Sequence, residues 1–277
     1  MPSPNRDDDP VDLATVTQVR PARDRADLVL APGEAPLAGG TWLYSEPQPH
    51  LTGLVDLTTL GWPAWTERPD GGLSIAATCT LAELVRIPDR IGRASGLLRE
   101  GVESLLQSFK VWNTATIGGN IATALAAGAL IGVTAALDAD LVIWTPDGGE
   151  RRQPVERFVL GQRATTLARG EVIRSIEIDP GPLAARVAFR RIALSPLGRA
   201  GTVVAGRRDA DGTTVLCVTG GTARPEVLRF GRPPGAEHLT AAIDGIRTWF
   251  TDAHGAADWR AAMTRLLGEA VRAELAA

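Results

Sequence analysis

A chain of 277 residues with 44% hydrophobic content can bury a sizeable core and has the length of two or three lobes of ordinary domain size. Its net charge of −3, with 28 scattered arginines and Lys110 as the single lysine, forms no basic cluster and excludes a nucleic-acid footprint; the arginine excess reads as codon bias. No run approaches about 18 uninterrupted apolar residues, the leading MPSPNRDDDP is polar and acidic, and Cys79 and Cys217 lack metal-ligand spacing, so the expectation is a cytoplasmic protein with no membrane span, two reduced thiols and no metal or iron–sulfur centre of its own.

In chain order, residues 11–33 combine a short strand with a weak helix, and 36–41 turn the chain. Residues 54–57 read as a strand, and Gly71-Gly72 turns into a second at 73–77. Thr80 and Glu83 have the spacing of a capping box, which starts a helix. Across 89–109, Ile91, Leu97, Leu98, Val102, Leu105 and Leu106 recur at helical spacing. The stretch TATIGGNIATALAAGAL follows at 114–130. A strand at 139–145 enters a hairpin at Asp147-Gly148-Gly149, and another strand is predicted at 171–178. The cluster Asp179-Pro180-Gly181-Pro182 is the best candidate domain boundary, dividing the chain into 1–179 and 183–277. Beyond it come strands at 186–192, 202–207 and 213–219, then helices at 237–249 and 256–275, the last with Trp259, Met263, Leu266, Leu267 and Val271 at core spacing. Strands followed by helices make this an α+β lobe.

Several chemistries have nothing to stand on. There is no G-x-G-x-x-G, no Walker A loop before Lys110, and no G-x-S-x-G nucleophile elbow. His50, His238 and His254 lack zinc-protease spacing and read as surface residues. No catalytic acid, nucleophile or metal ligand is therefore assigned, and a bound organic cofactor must be considered.

TATIGGN has two readings. In one, Asn120 caps a helix, the glycines form a strand-to-helix turn and the alanines pack in a core. In the other, bare backbone N–H groups ahead of the helix bind an anion that Gly allows to approach closely. A second pair, Gly39-Gly40 before Thr41, also sits at a turn. Two such loops could clasp a diphosphate from two sides, which points to a dinucleotide bound without the usual fingerprint.

Taken together, these segments resemble the FAD-binding subunit of the molybdenum hydroxylases, the xanthine dehydrogenase and carbon monoxide dehydrogenase group. The resemblance rests on Ala38-Gly39-Gly40-Thr41, on Leu54-Val55-Asp56-Leu57, on GGLSIAATCTLAEL at 71–84 and on WNTATIGGN at 112–120, in the family's order and spacing. RVAFRRIAL, VTGGTARPEVLRF and HGAADWR extend it over nearly the whole chain. It implies an α+β fold: a vanillyl-alcohol-oxidase (PCMH) type FAD-binding domain of two α+β lobes, followed by a smaller α+β C-terminal domain.

Carried over residue by residue, the resemblance places Ala38, Gly39, Gly40, Thr41 and Trp42, together with Thr116, Ile117, Gly118, Gly119, Asn120 and Thr123, around the FAD diphosphate. It also places Leu106 at the adenine or flavin pocket, and Arg190 at a family Lys position near the flavin, where the bland alternative is a solvent-facing strand residue. Trp42 and Tyr44 could stack near the isoalloxazine or serve the core. The sequence departs from the family at Trp42, at Trp112 and Thr114 ahead of the second motif, and at Leu125, Ala126 and Ala129, where a polar residue, a Pro and a cofactor-binding Asp are usual. The implied role is electron transfer from [2Fe–2S] clusters of a partner, through FAD, to an external acceptor. The implied partners are a large molybdopterin subunit and a [2Fe–2S] subunit or domain, because two cysteines cannot hold the clusters here. A stand-alone flavoprotein oxidoreductase and a degenerate FAD-free structural subunit are the alternatives.

Overall fold

The structure is a computed structural model that describes residues 13–126 and 128–277. The acidic leader and the first two residues of the 11–33 reading lie outside the described residues.

A small N-terminal lobe is built on three parallel strands, β1 (Gln18–Pro21), β2 (Glu34–Leu37) and β3 (Gly53–Asp56), in the order β1-β3-β2. The central strand begins at Gly53, level with both Gln18 and Glu34. Above it Arg20 reaches across from β1 and donates to both carboxylate oxygens of Glu34 at 2.8 Å. A Cβ at Gly53 would sit 3.0 Å from Glu34 Cγ, so this pair needs the bare strand beneath it. The pair, helped by the Ala31 N–H, holds the Glu34 carboxyl down to about 2.

The second lobe is an antiparallel sheet in the order β4-β5-β10-β6-β7. Its strands are β4 (Trp65–Glu67), β5 (Leu73–Ala76), β6 (Asp140–Trp144), β7 (Glu150–Pro154) and β10 (Val172–Ile178), and a small hairpin of β8 (Val159–Gly161) and β9 (Ala164–Thr165) interrupts the run. Helices α1 (Leu81–Leu84), α2 (Ser95–Glu103), α3 (Phe109–Trp112), α4 (Ile117–Thr123), α5 (Ala129–Ala136) and α6 (Val155–Phe158) belong to the same lobe. The capping box is formed as read: Glu83 N–H donates to Thr80 Oγ1, and Thr80 N–H donates to the Glu83 carboxylate.

A short helix, α7 (Pro180–Ala184), leads to a four-stranded antiparallel meander of β11 (Arg186–Ile192), β12 (Thr202–Arg208), β13 (Thr214–Thr219) and β14 (Glu226–Phe230), followed by α8 (Ala236–Asp244) and α9 (Ala257–Ala276). This sheet is covered on both faces. Cys217, Val203 and Ala205 join the core of the second lobe, whereas Val204, Leu216 and Val218 pack with Val271 and Leu275 of α9. That double coverage is why β13 reads as an unbroken apolar run. All eight residues of α5 are buried, because α2 lies on one side and β12 and β13 on the other. Gly132 permits the approach: a Cβ there would stand 2.5 Å from Thr219 Oγ1.

Four expectations are corrected. The helical spacing over 89–109 resolves into a 3-10 turn at Asp89–Ile91, then α2 and α3, because Leu106 takes a left-handed φ of 52° and ends the run. The helix predicted to reach 249 stops at Asp244 before Gly245. Leu266 is exposed on α9, not in its core stripe. Asn120 is not an N-cap; Thr116 is, with Asn120 inside the first turn of α4.

Candidate functional site

The two Gly-Gly loops meet face to face. After β2 the chain turns at 38–42, and the turn requires its glycines for two reasons. A Cβ on Gly39 would overlap the Thr114 carbonyl, and Gly40 holds a φ of +66° with the Tyr44 ring lying over it. The consecutive amides of Gly39, Gly40, Thr41 and Trp42 donate to no acceptor among the described residues. A run of unpaired backbone N–H groups in a turn makes a concave anion-binding nest.

The helix start at 116–120 is arranged differently. Thr116 Oγ1 accepts the Gly119 N–H at 3.1 Å, the Ile117 N–H donates to Cys79 O at 3.0 Å, and the Gly118 N–H donates to Ala77 O at 3.0 Å. The Asn120 N–H is taken by Thr116 O at 3.0 Å. The donors that the sequence marks as bare are thus spent on the turn after β5 and on the cap, and the free donors lie on the first loop.

Between the loops runs a cleft of about 630 Å³, within the roughly 300–1,000 Å³ common for cofactor sites. Of the sequence-predicted site residues, Ala38, Gly39, Gly40, Thr41, Trp42, Thr116, Gly118, Gly119, Asn120 and Thr123 line it. Three do not. Ile117 is fully buried in the core behind the wall. Leu106 is 39% exposed beside Gln107, which does line the cleft. Arg190 lies on β11, bonded to Glu274 and to its own strand at Phe189 O. Tyr44 is half exposed and covers Gly40 from outside the lining. Ala129, at the position of the family acid, is buried and contributes nothing to the wall.

Two of the lining residues, Asn120 and Trp42, also carry a polar atom, Oδ1 and Nε1, that is closed off from solvent behind the cleft wall without a partner among the described residues. Such atoms cost free energy unless a ligand or water completes them. The residues present fit a dinucleotide: four free amides for a diphosphate and an apolar floor that includes Leu57, Val172 and Ile173.

Sequence reasoning missed two charged residues of the lining, Glu171 and Arg163. Glu171 is neutralised by Arg151, which donates to both its oxygens at 2.7 and 2.6 Å. This pairing, with the Ala168 N–H, holds the Glu171 carboxyl below the ordinary carboxylate range. Arg163 sits in the tight turn between β8 and β9, and one arginine among 28 carries no signal of its own. Among the described residues no group of three or more His, Cys, Asp or Glu could hold a metal ion, and no helix is long and apolar enough to cross a membrane.

Residues 11–180 match the FAD binding domain in molybdopterin dehydrogenase. No curated protein matches the chain at a significant level. Among solved structures, quinoline 2-oxidoreductase from Pseudomonas putida 86 superposes with a TM-score of 0.79 at 20% identity, over 94% of this chain and 96% of that one. Carbon monoxide dehydrogenase from Hydrogenophaga pseudoflava, in a form lacking the Mo-pyranopterin moiety of its molybdenum cofactor, gives 0.79 at 23% identity, over 94% and 98%. Reconstituted CO dehydrogenase from Oligotropha carboxidovorans gives 0.80 at 21%, again over 94% and 98%. The shared architecture is the PCMH-type fold anticipated from the sequence.

Proposed function

Because the chain belongs to the family of FAD-binding domains of molybdopterin dehydrogenases, we propose that it is the flavoprotein subunit of a molybdopterin-dependent hydroxylase or dehydrogenase complex. In this reading 1–179 is the FAD-binding unit and 183–277 the C-terminal unit. A large molybdopterin subunit and a [2Fe–2S] subunit or domain are its partners, and an external acceptor takes the electrons. Bound FAD supplies the redox chemistry, accepting electrons and passing them on.

This chain's own part is to bind and orient. The 39–42 amides hold the diphosphate by charge-assisted hydrogen bonds. The stack of Gly39 on the Thr114 carbonyl keeps the two loops at a fixed spacing. No proton is moved by a side chain of the cleft: its single acid, Glu171, is held ionised by Arg151.

The observation that carries the reading is the row of four unpaired amides on residues that line a cofactor-sized cleft. Its test is the visible absorption spectrum of the purified chain, followed by acid release of the chromophore. Flavin bands with about one FAD per chain are expected. A folded, colourless protein that takes up no added FAD would leave the structural-subunit alternative in its place.

A further inference from the structure

We infer that Arg163 is the cationic partner of the anion held by the 39–42 amides. This rests on the reading above, in which that anion is the FAD diphosphate.

Among the described residues that line the cleft, Arg163 is the one with a cationic side chain, and Glu171, the one acid, is already neutralised. A diphosphate brings two negative charges, which amides alone solvate only in part. The Arg163 guanidinium stands 5.5 Å from the centre of the Trp42 ring, and the Trp42 amide is the last member of the nest. It reaches there from a separate segment of chain, crossing from the β8–β9 turn to the loop after β2.

The backbone that delivers it is unusual. Arg163 has a φ of +57°, and its N–H donates at 2.8 Å to the carbonyl of Ala124, itself at +50°. Ala124 is the C-cap of α4, between the cleft-lining residues Thr123 and Leu125. Two left-handed, non-glycine residues bonded to each other are a costly local arrangement, and such strain gathers where a side chain must be held in a set place. Here it anchors Arg163 to the helix that carries Gly119 and Asn120.

The present partner of the guanidinium is Glu46, at 2.7 Å, with the two side chains 49% and 39% exposed. An exposed pair of this kind contributes little, so a diphosphate can take over the planar, bidentate donor at small cost. Glu46 then acts as a competitor: it occupies Arg163 when the cofactor is absent and repels the phosphates when it is present.

The opposing account is a purely structural clasp in which Arg163, Trp42 and Glu46 tie the two loops together. The two accounts differ in sign at Glu46. Affinities for FAD and for riboflavin, which lacks the phosphates, are measured on the full chain by flavin fluorescence. Arg163→Gln is expected to weaken FAD about 10- to 100-fold while changing riboflavin by less than about threefold, Arg163→Lys to fall between, and Glu46→Gln to tighten FAD. Gln adds no new backbone strain at this position, and Glu46→Gln reports even where the Arg163 variants fold poorly. A wild-type chain that binds no FAD overturns both this inference and the reading beneath it. A wild-type chain that binds FAD, with Arg163→Gln neutral, or with Arg163→Gln and Glu46→Gln weakening FAD and riboflavin alike, overturns the inference alone.

Discussion

The turn at 38–42 and the helix start at 116–120 carry the same Gly-Gly pair, yet the structure uses them for opposite purposes. In the second, the first-turn amides are consumed by Cys79 O, Ala77 O and the two oxygens of Thr116. In the first, four successive amides are left open. Gly118 of the second loop lets a helix press against the turn that follows β5; the glycines of the first let a turn expose its donors while resting on the Thr114 carbonyl. A Gly-rich loop ahead of a helix is thus a binding surface only where no neighbouring strand has already claimed its N–H groups.

The most damaging way to break this arrangement is at the contact between the loops. Gly39→Val places side-chain atoms where the Thr114 carbonyl now lies. The expected result is loss of FAD from the purified chain together with a stability loss of about 3 kcal/mol, from overpacking that cannot relax. Retained FAD at wild-type stoichiometry would mean that the loops need not touch.

A second route removes the support of the first loop alone. β2, which delivers that loop, begins at Glu34, whose carboxyl the Arg20 pair holds down to about 2. A depressed folded-state value contributes stability that is fully present above the unfolded value near 4.5 and is lost as pH falls toward 2. Glu34→Gln should cost roughly 1.5–3 kcal/mol at neutral pH, and it should flatten the acid limb of a pH–stability curve between these values. An unchanged acid limb in the variant would refute the assignment.

A third, milder change separates frame from site in the second loop. Thr116→Val keeps the shape of the cleft wall but deletes the cap on the Gly119 N–H. It should lower stability by about 1 kcal/mol, with Ser restoring it, while FAD affinity moves by less than about threefold. A larger loss of affinity than of stability would return the anion site to α4.

Much of this molecule can be read from residue order. The capping box at Thr80 and Glu83, the strands at 73–77, 186–192 and 202–207, and the turn at Gly39-Gly40 are local patterns whose physics is complete within a few residues, and they stand where they were expected, whereas Gly118-Gly119, read as a turn before the helix, lies inside the first turn of α4. What escaped has a long-range cause. The engagement of the Ile117 and Gly118 amides depends on carbonyls about 40 positions away at Cys79 and Ala77. The complete burial of α5 comes from α2 on one side and, on the other, from β12 and β13, which begin 66 residues downstream, so its sequence carries no amphipathic stripe. Arg163 became visible only when the β8–β9 turn was folded back toward Trp42.

The finest test concerns two adjacent residues that a sequence motif treats as equivalent. A Cβ on Gly118 would meet Ala77 Cβ at 2.5 Å and Ala77 O at 2.6 Å, both in the turn that directly follows β5. A Cβ on Gly119 would meet Thr116 Oγ1 alone, at 3.0 Å. Gly118→Ala should therefore destabilise the chain by about 1–3 kcal/mol, with each folded molecule still binding FAD normally. Gly119→Ala gains roughly 1 kcal/mol of helix propensity against a slight displacement of the Thr116 hydroxyl, so stability should stay within about 1 kcal/mol of wild type. Its new methyl narrows the cleft that Gly119 lines, and FAD affinity should fall about fivefold, near 1 kcal/mol of lost fit. Thermal unfolding without flavin and titration with FAD measure the two quantities separately. The reverse pattern, with affinity lost at 118 and stability lost at 119, would show that α4 faces the cofactor with the other edge of its first turn.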